Sequence, residues 1–373
     1  MKKSFVLTAA FAAGLLSFSA CDGLVDNGNG GGTTPGGGGL VLNVSKSIIQ
    51  ANGTDAAVLE VLYNDEPVTE GVTIYDADNN IVELENMTFT TTQTGTYKFW
   101  ASYGTSFTET VTVTAIAFEV PVLPDDPQPE ATAFARRVFL TQFTGTGCGY
   151  CPGMITILRS VLADEDYSSR VVLAAVHQYN SDDPAYLSDA NLASAMGVQG
   201  FPSVVADMNL MFTNYNSEFA LKTLIDNSYN RTAALAGISA SAHSDGNTLV
   251  VTASVKAAQT AEFRVGAWLL EDGISGSQSN YRPSVWTGDY NTHDNCVRIA
   301  DSRVSSSNYT GYSLGTISAG ETAEHAFVMT LDESWVTENL HLVLFVTTPE
   351  GNSWVVNNAV ACPVNGTVEF DYE

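Results

Sequence analysis

From Leu40 to Ala115 the chain alternates short apolar runs with turn residues. Leu40-Val41-Leu42-Asn43-Val44, Ala57 to Tyr63, Val72 to Tyr75, Gly95 to Ala101 and Thr108 to Ala115 recur at the spacing of sandwich strands. The pattern predicts a small immunoglobulin-like β domain over residues 40–118. Asp76, Asp78 and Asn80 copy the opening of a calcium loop. However, Ile81 stands where such a loop needs glycine, and Met87 where it needs a closing glutamate, so a hairpin turn is expected instead. Residues 119–131 carry Pro121, Pro124, Pro127 and Pro129 and predict a semi-rigid linker.

The period then changes. Val138-Phe139-Leu140-Thr141-Gln142-Phe143 is an apolar run. Met154, Ile157, Leu158, Val161 and Leu162 fall on one face of a helix expected over 152–163. Val171 to Val176 is apolar throughout, as a parallel strand covered on both faces would be. A helix over 185–196, a hairpin through Ser203–Ala206 and Leu210–Phe212, and a helix over 217–232 complete an α/β domain expected at 132–236. From 237 to 373 the strand pattern returns, in Thr248 to Val255, Phe263 to Leu270, Ala326 to Leu331, Leu340 to Thr347 and Trp354 to Asn357. A C-terminal β-sandwich is expected there. It is interrupted by a long loop, Tyr281 to Asn295, rich in Tyr, Trp, Asp and Asn. The fold class is thus multidomain, α/β plus all-β.

The N-terminus adds a location. Met1-Lys2-Lys3-Ser4 is a basic start, Phe5 to Leu16 an apolar stretch too short to span a bilayer, and Phe18-Ser19-Ala20-Cys21 reads as a lipobox. Residues 1–21 are expected to be a lipoprotein signal peptide, with Cys21 the lipidated residue and acyl chains the membrane anchor. Residues 22–39 form a Gly-rich tether. A formal charge of −26 argues against nucleic acid and against docking onto anionic lipid, and fits a solvated extracytoplasmic surface.

The candidate chemistry is Cys148-Gly149-Tyr150-Cys151-Pro152, set between a strand and a helix. That placement is the layout of a thiol–disulfide site, because unpaired N–H groups at a helix start favour a thiolate. Alone, C-x-x-C equally fits half a zinc site, a structural disulfide or two idle thiols, but no second pair completes a zinc site. Downstream, Val198-Gln199-Gly200-Phe201-Pro202-Ser203 has the form of a cis-proline turn. With Cys21 set aside, four cysteines allow three pairings. Cys148–Cys151 with Cys296–Cys362 is favoured, since each pair then lies within one expected domain.

At these motifs the segment from about Arg137 to Asn230 resembles a thioredoxin-like domain. A wider pattern resembles the Omp28-related outer-membrane lipoproteins of Bacteroidetes. It comprises Thr-Gly-Thr-Gly before Cys148, a strand ending in His177, Gly-Phe-Pro at 200–202, and His293-Asp294-Asn295 followed by Val297-Arg298. The resemblance implies an exposed nucleophile at Cys148, a buried resolving thiol at Cys151, and Pro202 shaping a substrate strand, with Phe201 and Tyr150 beside it. The chain also departs from thioredoxins. Gly147 stands in place of the tryptophan before the first cysteine, and Gln142 in place of a buried acid that shuttles protons.

Two functions follow. One is extracytoplasmic thiol–disulfide exchange with a protein partner and no cofactor. The other is a non-catalytic surface lipoprotein that binds protein or glycan through its β domains. His177, at a strand end, is either a tuner of the dithiol or a hydrogen-bonded strand cap. The aromatics of 281–295 are either a binding surface or packing that holds a long loop. His293 and Asp294 supply two metal ligands without a third, so no metal is expected. Gly145 to Gly149 lacks the Lys-Ser/Thr end of a phosphate loop.

Overall fold

The computed structural model describes residues 39–303, 305 and 307–373. The signal peptide, Cys21 and nearly all of the tether lie outside the described residues.

Residues 40–116 form two facing sheets. One pairs Leu40–Val44 with Ala57–Tyr63; the other sets Ile48–Gln50, Val111–Ile116, Gly95–Tyr103 and Val72–Asp76 side by side. Leu42, Leu59, Val61, Ile74, Phe99, Ala101 and Val113 fill the space between them. Burial alternates along Ala57–Tyr63, as a strand with one covered face requires. Asp76 closes a hairpin turn by accepting the amides of Asp78 (2.9 Å) and Asn80 (2.8 Å). The proline-rich segment behind this module is pinned. Lys256, almost fully buried, donates its Nζ to Asp126 Oδ2 (2.9 Å) and to the carbonyl of Pro129 (2.6 Å).

The rest of the chain is built on one nine-stranded sheet. Its strands are β1 (Val138–Thr144), β2 (Val171–His177), β3 (Ser203–Ala206), β4 (Leu210–Phe212), β5 (Ala261–Glu271), β6 (Cys296–Asp301), β7 (Tyr312–Ile317), β8 (Leu340–Glu350) and β9 (Ser353–Pro363). The order is β4-β3-β1-β2-β6-β5-β8-β9, with β7 also on β5. β1 pairs parallel with β2 and antiparallel with β3. β2 meets β6 in parallel at Ala175 and Cys296. The expected boundary between an α/β domain and a C-terminal sandwich is therefore crossed by a shared sheet. A free edge on β2 would expose unpaired backbone groups, and β6 covers it.

Helices α1 (Cys151–Leu162) and α2 (Glu218–Tyr229) pack on one face of β1. Met154, Ile157, Leu158 and Val161 of α1 meet Val138 and Leu140 of β1 and Leu221 and Ile225 of α2. Each such side chain contributes about 1.5–3 kcal/mol over exposure. Phe139 and Phe143 point to the opposite face, against Trp268 and Phe345. Every residue of β1 is buried, Thr141, Gln142 and Thr144 included, which explains why its apolar residues occupy both faces. Beyond β2, the C-terminal half of the sheet faces a four-stranded sheet containing Ala236–Asp245 and Thr248–Ala257, around a core of Val251, Phe263, Leu342 and Leu344.

Two expectations are corrected. The helix over 185–196 shrinks to Leu192–Ala195. Residues before it make a turn and a single bridge instead: Tyr186 bridges His177, the Leu187 amide reaches the His177 carbonyl (3.0 Å), and Asp183 Oδ1 captures the Ala185 amide (2.8 Å). Those bonds hold the backbone out of a helix. The second correction is the Cys296–Cys362 disulfide. Both thiols are free and buried. Cys296 pairs with Glu271 on β5, whereas Cys362 pairs with Leu342 on β8. Strands β6 and β9 are three spacings apart, about 14 Å. A disulfide spans Cα atoms only to about 7 Å.

Candidate functional site

Strand β1 delivers the chain at Thr144 to a tight loop, and α1 begins at Cys151. Between them Cys148 and Cys151 form a disulfide with Cα atoms 5.4 Å apart. Pro152 follows as the second helical residue, where its missing N–H costs nothing. Cys148 lies in the turn before the helix, its carbonyl accepting the Cys151 amide at 3.1 Å. Pro202, after a cis peptide bond with Phe201, leads into β3. Ser203 pairs with Phe143, so Pro202 and the cysteine loop occupy the same end of adjacent strands.

Three side chains shape the loop from below. Asp183 Oδ2 accepts the Thr146 amide (2.7 Å) and His177 Nδ1 (2.8 Å). Asn180 Oδ1 accepts the Gly147 amide (2.8 Å). Burial pushes the Asp183 carboxyl up, but His177 and the Ala185 and Thr146 amides outweigh it and hold it down to about 2. A Cβ at Gly147 would sit 2.9 Å from Asn180 Oδ1, which is why no tryptophan fits there.

A segment of the C-terminal half closes the loop from above. Ser279 N donates to the Thr146 carbonyl (2.7 Å) and Tyr281 N to the Gly149 carbonyl (2.9 Å). Gln278 Nε2 lies within 3.2 Å of the Gly145 and Thr146 carbonyls and 3.0 Å of the Cys148 carbonyl. Trp286 and Tyr290 are buried along α1, and the Tyr290 hydroxyl meets Thr156 Oγ1 at 2.7 Å. The loop aromatics are thus mostly packed down to hold the loop. Tyr281 alone of the three is exposed.

This cover overturns one expectation. Cys148 is only 2% exposed, against 0% for Cys151, so neither sulfur faces solvent. Of the residues expected beside the site, Tyr150 is exposed and meets Tyr281 edge-on at 5.3 Å. Phe201 is half-buried and packs edge-on against Tyr179. Gln142 is buried on the α1 side of β1, its Nε2 without a hydrogen-bond partner. It lines a cavity of about 210 Å³ with Thr144, Leu158, His177 and His293.

Sequence reasoning missed a second cluster. His177 Nε2 faces Cys296 Sγ at 3.6 Å, and its Nδ1 is held by Asp183. Thiol, imidazole and carboxylate lie in line, as in a cysteine hydrolase. But all three are buried, and burial raises the Cys296 thiol well above its ordinary value, with Asp183, Asp294 and Asp272 adding to the rise. A nucleophile needs the opposite. His177 therefore caps its strand and locks Asp183. His293 Nε2 is taken by the Gly276 carbonyl (3.1 Å) and Asp294 by the Gly273 amide (3.0 Å). Among the described residues no three ligating side chains gather as a metal site.

The family model of outer membrane protein Omp28 matches residues 189–365, just under half of the chain. Over that segment the chain is related to the Omp28 outer membrane proteins. The match agrees with the expected outer-membrane location. It takes in Pro202, the segment over the disulfide loop and Cys296, but begins after Cys148 and Cys151. Among solved structures, HBP35 of Porphyromonas gingivalis is 18% identical, with 62% of this chain and 76% of that one covered at a TM-score of 0.49. A domain of the outer membrane lipoprotein Omp28 from Porphyromonas gingivalis is 19% identical, with 35% and 89% covered at 0.24. No match is found among curated proteins.

Proposed function

We propose that this chain is an exported protein, anchored in the outer membrane through lipid on Cys21, whose thioredoxin-like segment 132–236 exchanges disulfides with extracytoplasmic proteins. The observation that carries the reading is placement. β1 brings the Cys148–Cys151 disulfide to the sheet end where Pro202 enters β3. Starting from the disulfide, a partner thiolate attacks Cys148 Sγ and forms a mixed disulfide. The Cys148–Cys151 bond breaks and Cys151 leaves as a thiolate, which takes up a proton. A second partner thiolate then attacks the partner sulfur, releasing Cys148 and leaving the partner oxidised by two electrons. The reverse sequence reduces a partner. Neither direction needs a cofactor.

The test is equilibration with glutathione buffers followed by trapping. The Cys148–Cys151 couple is expected to titrate reversibly, and Cys151→Ser to accumulate mixed disulfides through Cys148. A couple that exchanges with no thiol partner, in a variant whose site is open, ends this reading.

A second reading has its own support. Gln142 cannot carry a proton as a carboxyl would, and Cys148 is covered. Under that reading the disulfide staples a scaffold and the β domains bind protein or glycan. The anchor is common to both. Cys21→Ser is expected to move the protein from the membrane fraction to the soluble one, and unchanged retention would contradict lipidation.

A further inference from the structure

We infer that residues 278–290 are a resident strap that gates the Cys148–Cys151 disulfide, and that Gly149 and Gly153 are the seats of its aromatic rings. As regulation of an exchange site this rests on the proposed function. As occlusion of a disulfide it stands without it.

The strap runs beside the cysteine loop and on along α1. Ser279 and Tyr281 donate backbone N–H groups to the Thr146 and Gly149 carbonyls. Gln278 lays its amide over three loop carbonyls. Asn280 Nδ2 holds the strap to itself through the Trp286 carbonyl (2.9 Å), and Arg159 of α1 holds the far end through the Asp289 carbonyl (2.6 Å).

The glycines explain the fit. A Cβ on Gly149 would lie 2.4 Å from the Tyr281 ring, and one on Gly153 would lie 2.6 Å from Trp286. Neither glycine has a positive φ, so the backbone does not demand them. Ring contact does. In Cys148-Gly149-Tyr150-Cys151-Pro152-Gly153 the two glycines are four residues apart and receive two rings of one strap.

Exchange requires a sulfur or phosphorus nucleophile to reach Cys148 Sγ along the S–S axis. With Cys148 only 2% exposed, that approach is closed until the strap lifts. Access is therefore set by an opening equilibrium and not by thiol chemistry alone. A partner that competes for the Thr146 and Gly149 carbonyls would open the site as it binds.

The experiment uses tris(3-hydroxypropyl)phosphine, which is uncharged and so not repelled by a chain of net charge −26. Phosphorus attacks one sulfur, the S–S bond breaks, and water supplies the oxygen of the phosphine oxide and the hydrogens of two thiols. Timed acid quench, unfolding and maleimide labelling count thiols by mass. With the Cys21 sulfur blocked by lipid, Cys296 and Cys362 give a constant baseline of two, and reduction adds two. The native disulfide is expected to be reduced at least 100-fold more slowly than in urea. Gln278→Ala, Tyr281→Ala and Gly149→Ala should each speed native reduction about tenfold or more, while Phe219→Ala, exposed on α2, should not. A native rate within threefold of the urea rate overturns the strap, whatever the variants do. So does a set of folded strap variants no faster than wild type. The exchange reading fails separately, if a strap-opened variant is reduced readily by phosphine yet never exchanges with a protein or glutathione thiol.

Discussion

Two sulfur sites share one carboxylate in this molecule, and their fates are opposite. Asp183 accepts the Thr146 amide on the way to Cys148, and through His177 it also touches Cys296. The first site lies in a loop after a strand, cross-linked over three residues and closed by a strap with only its own local bonds. The second lies at the β2–β6 seam of the central sheet, where no chain can lift without breaking that sheet. Both cysteines are buried to a similar degree, so burial alone does not separate the cross-linked cysteine from the free one. What separates them is the free energy of uncovering. A strap opens locally, whereas a sheet seam opens with the fold.

The strongest way to break this comparison is to remove the shared anchor. Asp183→Ala leaves three buried donors without partners and is expected to cost about 3–5 kcal/mol. Urea unfolding measures it, and phosphine reduction of the disulfide should accelerate in the same variant. Loss below about 1 kcal/mol would mean that Asp183 does not hold the two sites together. Arg136→Ala tests an anchor outside the comparison. It removes the nearer of two ion pairs to fully buried Asp207, at 2.6 Å with Arg231 left at 3.7 Å, and should cost a similar amount without changing reduction of the native disulfide.

Reduction itself is next in size. Closing so short a loop stabilises by about 2 kcal/mol in the chain-entropy account. Dithiothreitol should therefore lower the unfolding free energy of wild type by about that much and leave a Cys148→Ser/Cys151→Ser variant unchanged. Sensitivity persisting in the double variant would point to a disulfide at Cys296 or Cys362.

Acid sharpens the comparison further. The folded Asp183 carboxyl lies at about 2, below its unfolded value of 3.8. Its contribution is thus complete above about pH 5 and is lost progressively as pH falls from there towards 1, amounting to about 2 kcal/mol. Wild type should lose that increment over this window relative to Asp183→Asn, and parallel stability curves would refute it.

The smallest effect belongs to the free thiols. Burial pushes Cys362 up to about 11 and raises Cys296 as well. Iodoacetamide at pH 8 should label neither in the native protein, and Cys362→Ala should cost only about 1 kcal/mol. Rapid native labelling of Cys296 would show that the seam opens as easily as the strap.

Much of this was legible along the chain, for a physical reason. Alternation in Ala57–Tyr63, apolar residues of both parities in Val138–Phe143 and the helical stripe from Met154 to Leu162 are local patterns, and each marks which faces are covered. The Cys148–Cys151 bond is local too, since three residues of separation keep two thiols within reach whatever the rest of the chain does. The charge of −26 likewise needs no fold to be read. Only the tertiary structure decided the rest. Cys296 and Cys362 belong to one stretch of sequence, but the strand order puts two strands between theirs. Residues 185–191 carry a helical pattern, but bonds to Asp183 and His177 hold the start of that segment out of a helix. Cys148 reads as exposed until Gln278 and Tyr281 arrive from more than a hundred residues away. Local periodicity reports which side of an element is covered; it carries no record of what comes to cover it.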